Sequence, residues 1–306
     1  MSPVSAPHRA GRLPFVAAVP LKPRGATASW EAVQENLRRT IGSFRQSAAG
    51  MGTVVVACHD EPELGSASGP DVQVLRVPFA RPADRWEGSR DKGRKRRFIG
   101  AWLRETLDVP SLYVMFLDAD DLVHERLVSH VLDGGSGSYV IDDGYVFGAD
   151  TGLLVRRRQR FSEICGSSFV CRFELDELPR SWDDESALFS QFGVAPEQPG
   201  HSEYPRVAGL AGRPAAPVPF PGVLYLVNHG ESHWSHKMGR QRDVGSSGDV
   251  VRPGVARRAV ANEFAAPDLA ARLAGRAAVS RLILQRSSRR ALRRVARAVV
   301  PRPTRS

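Results

Sequence analysis

The sequence predicts an α/β protein with a mostly parallel, Rossmann-like sheet and helices on both faces. Three observations carry that expectation. Short apolar runs and amphipathic stretches alternate through the first 132 residues. The runs are apolar throughout, as strands covered on both faces are. Several of them open into turns marked by proline or by acids. With 306 residues and 42% apolar content, the chain can bury a core large enough for one such domain.

Residues 14–20 (PFVAAVP) read as a buried strand ended by proline. Ser29 is placed to cap a helix running to about residue 47, with Trp30, Val33, Leu37, Ile41 and Phe44 at helical spacing. Residues 53–58 (TVVVAC) and 72–77 (VQVLRV) are expected to be the second and third strands, the former opening into His59-Asp60-Glu61-Pro62. Basic residues from Lys92 start a helix that continues to about Leu107, with Phe98, Trp102 and Leu103 facing inward. Residues 112–117 (LYVMFL) form a fourth strand ending in Asp118-Ala119-Asp120-Asp121, followed by a helix over about 123–132. Beyond residue 138 the extended pieces SYVIDDGYVF, TGLLVRRR and SSFVCRFEL read as antiparallel additions to the sheet. A helix is expected over 183–192 and a further apolar strand over 223–227.

The organisation expected is a flexible segment 1–13, a domain over 14–238, a polar, glycine-rich linker over 239–254 and an arginine-rich helical or disordered tail over 255–306. The net charge of +10 resides in that tail. From Arg252 to Ser306 there are 14 arginines against Glu263 and Asp268, a net of +12, which leaves −2 for all the rest. A nucleic-acid-binding core is therefore not expected. No apolar run is long enough to span a bilayer, and no apolar segment follows the basic residues at the N-terminus, so no secretion signal is expected. Three cysteines, Cys58, Cys165 and Cys171, lack metal-ligand spacing and read as reduced thiols of a cytoplasmic protein.

The sharpest chemical signal is YVMFLDADD, residues 113–121, in which an apolar strand delivers Asp118 and Asp120 to its carboxyl end. In open α/β sheets ligands sit at that end. Two carboxylates there suit a hard cation such as Mn²⁺ or Mg²⁺ that also takes phosphate oxygens. The stretch Asp91-Lys92-Gly93-Arg94-Lys95-Arg96 at a helix start reads as an anion site. The histidine cluster Asn228-His229-Gly230-Glu231-Ser232-His233 follows the strand at 223–227 and opens at a strand end. The acidic run Trp182-Asp183-Asp184-Glu185 reads as a helix N-terminus or as the source of a general base. Gly166-Ser167-Ser168 offers backbone and hydroxyl contacts.

The order of strand, acidic turn, basic helix start and FLDADD resembles the GT-A glycosyltransferases, especially the family-2-like bacterial enzymes, over about residues 14–235. The resemblance implies a metal-dependent transfer of a sugar from a nucleoside diphosphate sugar, foremost a UDP-sugar, to a glycan or lipid-linked acceptor. It implies nucleotide-sugar contacts from Pro20, Lys22, Asp60, Glu61, Lys92, Arg96 and Asp118. It further implies metal ligation by Asp118, Asp120 and His229, with His233 the second choice, and a catalytic base at Asp184, with Asp183 beside it. Such an enzyme is expected in the cytoplasm, at the inner face of the membrane, in envelope or exopolysaccharide assembly.

Two other readings compete. A phosphohydrolase of the haloacid-dehalogenase type also places Asp-x-Asp after a strand, and Asp142-Asp143 imitate its later acids. Its chemistry needs a lysine between the two motifs, and residues 121–141 contain none. A non-catalytic basic-tailed protein is the other. Arginine pairs over 289–297, with Leu292, Val295 and Val299 at helical spacing, suit an amphipathic helix on an anionic membrane through residues 281–300. Nucleic acid is disfavoured because no aromatic residue lies beyond Phe264 to stack on bases.

Overall fold

A computed structural model describes residues 13–84, 87–193, 200–231, 242–252 and 254–266. The chain is α/β, built on two mixed sheets.

The first sheet forms where the continuous apolar runs lie. Strands β1 (Phe15–Pro20), β2 (Gly52–Cys58), β3 (Val72–Arg76) and β4 (Ser111–Phe116) are parallel, in the order β3-β2-β1-β4. Every residue of β1, β2 and β4 is buried, because both faces are covered. Phe15, Ala17 and Val19 pack with Leu37, Ile41 and Phe44 of helix α1 (Trp30–Ala48). The alternate residues Val16 and Ala18 pack with Ile99 and Leu103 of helix α2 (Glu87–Thr106). This is the period-two alternation of a strand between two helix layers. As expected, the Ser29 hydroxyl caps α1 by accepting the Ala32 N–H at 3.2 Å.

The rest of the first sheet is not parallel. Strand β9 (Phe169–Glu174) runs antiparallel to both β4 and β6 (Ser138–Val140), and β10 (Ala215–Pro217) closes the edge parallel to β6. The second sheet has the order β12-β8-β7-β11-β5, from β5 (Leu122–Val123), β7 (Gly144–Gly148), β8 (Leu153–Arg157), β11 (Val223–Val227) and β12 (Asp249–Val250). SYVIDDGYVF is therefore divided between two sheets instead of extending one. Helix α3 (Leu127–Gly134) begins later than expected, because Leu122 and Val123 pair with Leu224 and Val223.

Three further differences have local causes. Helix α2 begins at Glu87, a turn and a half before the basic run, so Lys92 and Lys95 lie inside it. Residues 183–192 do not form one helix: a single 3-10 turn, Leu188–Phe192, follows a loop closed by Asp184. The described part of the expected linker is folded, since β12 pairs with β8. Helices α4 (Tyr204–Leu210) and α5 (Val255–Glu263) are the remaining helices among the described residues. Val260 and Phe264 are buried against Tyr145 and Leu226, so the second sheet's core extends past residue 254 into the expected tail. Residues 1–12 and 281–300 lie outside the described residues.

Candidate functional site at the end of the first and fourth strands

β1 has β2 on one side and β4 on the other, so the chain's winding reverses between β1 and β4. In open α/β sheets ligands bind at such a reversal, beyond the carboxyl ends of the strands. Residues 117–121 lie there as the link from β4 of the first sheet to β5 of the second. The acidic run is thus held at both ends by buried strands, and its side chains diverge to three different neighbourhoods.

Asp118 faces α2. Its Oδ1 lies 2.5 Å from Lys92 Nζ and 3.7 Å from Arg96 Nη2. Burial opposes its charge, but Lys92 and Arg96 outweigh that and hold the carboxyl below the usual carboxylate range. Its backbone N–H donates to Ser167 Oγ at 2.9 Å. Asp120 faces the second sheet, with Oδ2 2.8 Å from His229 Nε2. Asp121 turns inward and is fully buried. Its Oδ2 accepts the Ser167 hydroxyl at 2.5 Å and is approached by the Cys165 thiol at 3.4 Å. Burial, with Asp120 and Asp118 nearby, raises the Asp121 carboxyl well above its ordinary value.

His229 reaches Asp120 because the chain reverses after β11. Asn228 takes a left-handed conformation, φ 58°, which asparagine tolerates, and Gly230 follows at φ 84°. The Asn228 amide donates to the Arg242 carbonyl at 2.9 Å, fixing the turn. Glu231 then ties this loop to the first strand-helix connection. It accepts the Ser29 backbone N–H at 2.6 Å and pairs with Lys22. Burial opposes the Glu231 charge, but the Lys22 and Ser29 contacts keep the carboxyl below its ordinary range.

Below this layer lies a buried network. Lys95, 1% exposed, donates to the Leu21 carbonyl at 2.7 Å and to Asp91 Oδ2 at 2.6 Å, and Asp91 Oδ1 lies 2.7 Å from His59 Nε2. It joins α2 to the ends of β1 and β2. His201 sits beside Lys92, Asp118 and Arg96. Its Nδ1 is 2.8 Å from the Ser162 carbonyl, and burial holds its pKa below 6.5, so the ring is neutral at neutral pH.

The structure pairs Asp118 with Lys92 and Arg96, and Asp120 with His229, at the turn after β4, with Pro20 and Lys22 at the neighbouring strand end. Asp60 is nearby at the end of β2, where it accepts the Arg24 N–H at 2.9 Å and pairs with Arg81 at 2.5 Å, and Glu61 is exposed. His233 lies outside the described residues. Asp183 and Asp184 are not brought there. Asp184 accepts the backbone N–H groups of Arg180 and Ser186 and the Ser186 hydroxyl, which lowers its pKa to about 2. That carboxylate is a turn cap and too weak a base for the expected role. It lines a shallow cavity of about 650 Å³ with Arg104, Asp176 and Leu178. Asp176 follows the end of β9 that pairs with the first residue of β4, the opposite end of the sheet from Asp118. Asp183 accepts the Ser181 hydroxyl at 2.5 Å.

Asp121, Glu231 and His201 are members or supports of the site to which sequence reasoning gave no role, and Asp91 and Lys95, expected in an anion site, instead bond each other. Asp91 and Lys95 have the helical i,i+4 spacing that marks a pair, and Glu231 lies within the histidine cluster. The acids of the phosphohydrolase reading are committed elsewhere: Asp143 makes a two-point pair with Arg156, and Asp142 accepts the Ser162 hydroxyl.

The expected divalent ion finds part of its ligand set. Asp120 and His229 are adjacent, while Asp118 is matched by Lys92 and Arg96. Among the described residues no group of three His, Cys, Asp or Glu is arranged to hold a metal. No described helix is long and apolar enough to cross a membrane. No protein-family model matches this chain. A search of curated proteins finds no match either.

Proposed function

We propose that this chain is a glycosyltransferase that moves a sugar from a nucleoside diphosphate sugar to a glycan or lipid-linked hydroxyl. The observation that carries the reading is that the turn after β4, at the reversal between β1 and β4, turns Asp118 to Lys92 and Arg96 and Asp120 to His229. That position suits a nucleotide, and the mixture of acid, base and cation suits the departure of a diphosphate.

In the reaction the acceptor oxygen forms a bond to the anomeric carbon as the bond from that carbon to the diphosphate oxygen breaks. The diphosphate leaves with the electron pair and takes up the proton that the acceptor hydroxyl loses. Lys92 and Arg96 are placed to neutralise the charge that develops on the leaving group. Mn²⁺ or Mg²⁺, held by Asp120 and His229, would supply Lewis-acid neutralisation of the same diphosphate. The loop carrying His229, tied by Glu231 to Lys22 and Ser29, keeps Asp120 oriented from the second sheet.

The test is a thermal-shift and calorimetric panel of UDP, GDP and CDP, with and without Mn²⁺ and Mg²⁺. At least one nucleotide is expected to raise the melting temperature, with Asp120→Ala removing whatever part of that response depends on metal. No response to any nucleotide under any metal condition contradicts the reading.

A further inference from the structure

Arg96 is among the largest fully buried side chains of the described residues, 2% exposed, yet its Nε and Nη2 make no hydrogen bond. Only Nη1 is satisfied, by the Tyr204 hydroxyl at 2.9 Å and, at 3.4 Å, the Phe192 carbonyl. The guanidinium is 4.8 Å from the Phe116 ring centroid. Stacking and the Tyr204 bond fix its orientation, so the orphaned donors cannot turn to find partners. A buried charge with unpaired donors is costly to keep.

Of the two, Nη2 lies nearer to Asp118. Its Oδ1 is 3.7 Å from Arg96 Nη2, beyond a hydrogen bond, and 2.5 Å from Lys92 Nζ. Two cations therefore face one carboxylate. His201 adds no charge, because burial keeps it neutral. Gly166 keeps one side of the group clear of side-chain atoms. A Cβ there would come within 3.1 Å of Asp118 Oδ2 and 3.8 Å of Lys92 Nζ.

We infer that Lys92 and Arg96 form a diphosphate-binding site which the Asp118 carboxylate occupies in the free chain, so that Asp118 is a displaceable counter-ion competing with the ligand. The inference rests on the donor reading given above and specifies which groups hold the diphosphate. A diphosphate carries more charge and more acceptor oxygens than one carboxylate. It can therefore bond Lys92 and the unpaired Arg96 donors together. Asp118 can yield because its backbone is held independently, by Ser167 Oγ and by the Asp121 N–H bonded to its carbonyl. The contact needs no divalent ion, and it reverses the sign expected for Asp118 as a metal or donor ligand.

The experiment is calorimetric titration of UDP, GDP, CDP and inorganic pyrophosphate into the wild type, Asp118→Asn and Lys92→Met, in EDTA and again in Mn²⁺. In EDTA, Asp118→Asn is expected to bind about tenfold tighter than wild type, and Lys92→Met about tenfold weaker. Circular dichroism establishes that both variants fold, and Lys92→Gln repeats the second measurement with a polar side chain. Equal or weaker binding by Asp118→Asn overturns the counter-ion role while leaving nucleotide binding intact. Binding seen only with Mn²⁺ overturns the metal-free contact in the same way. No nucleotide bound by any of these proteins, with or without Mn²⁺, removes the donor reading itself.

Discussion

Within the four residues 118–121, acids meet different fates. Against the effect of burial, Lys92 and Arg96 hold the Asp118 carboxyl below its ordinary range, whereas burial beside Asp120 and Asp118 pushes the Asp121 carboxyl up. Their order in the sequence says nothing of this. Strand alternation breaks at the turn, and the neighbours come from α2, β9's approach and β11. His124, three residues on, is governed by burial too. Burial first, then Arg126, brings its pKa down to about 4, against a small opposing effect of Glu125. Between pH 6.5 and about 4 the unfolded chain binds a proton here that the native chain does not. This group's contribution to stability is therefore lost as pH falls through that window, whereas Asp121 acts with the opposite sign. Chemical denaturation of wild type and His124→Gln at pH 7 and pH 5 separates the two. The wild type should lose more stability than the variant on acidification, and equal losses would show that His124 stays uncharged or solvated.

Strands and capped helices were legible at the level of the element. Residues 223–227 form β11 as expected, and Ser29 caps α1, because both signals are local: an apolar run bounded by turns, and a hydroxyl before an amphipathic stretch. What a strand pairs with is not local. β6 and β7 are separated only by Ile141-Asp142-Asp143, yet they join different sheets, and no pattern within either strand announces it. The same holds for Asp184, whose Ser-rich surroundings fold into a turn around its own carboxylate. Helix α2 shows how a charge run misleads. Lys95 belongs to the stretch that reads as an anion site, but it is buried, bonding the Leu21 carbonyl and Asp91. Removing it leaves Asp91 buried with only His59 beside it. Lys95→Met is expected to cost about 3–5 kcal/mol in urea denaturation. A loss below about 1 kcal/mol would mean that the network is not a structural joint between α2 and the ends of β1 and β2.

For the whole molecule, the site exists because two sheets meet. β4 supplies the acids from one and β11 supplies His229 from the other, with the Lys22–Glu231 pair closing the gap over the end of β1. The position of the acids at a strand end was readable from YVMFLDADD. Their division between a cationic helix and a histidine loop was not, since it depends on contacts spanning more than a hundred residues of chain. The positive charge of residues 252–306 lies largely beyond the described residues, and the site carries its own cations in Lys92 and Arg96.

Turnover of the donor tests the transferase assignment most directly. Purified protein is incubated with a panel of UDP-, GDP- and CDP-sugars, and release of the nucleoside diphosphate is followed for the wild type, Asp120→Asn and Asp184→Asn. At least one donor should be consumed, with Asp120→Asn slower by about a hundredfold and Asp184→Asn at the wild-type rate. Absence of release from every donor, or an Asp120→Asn variant as fast as the wild type, would contradict the account.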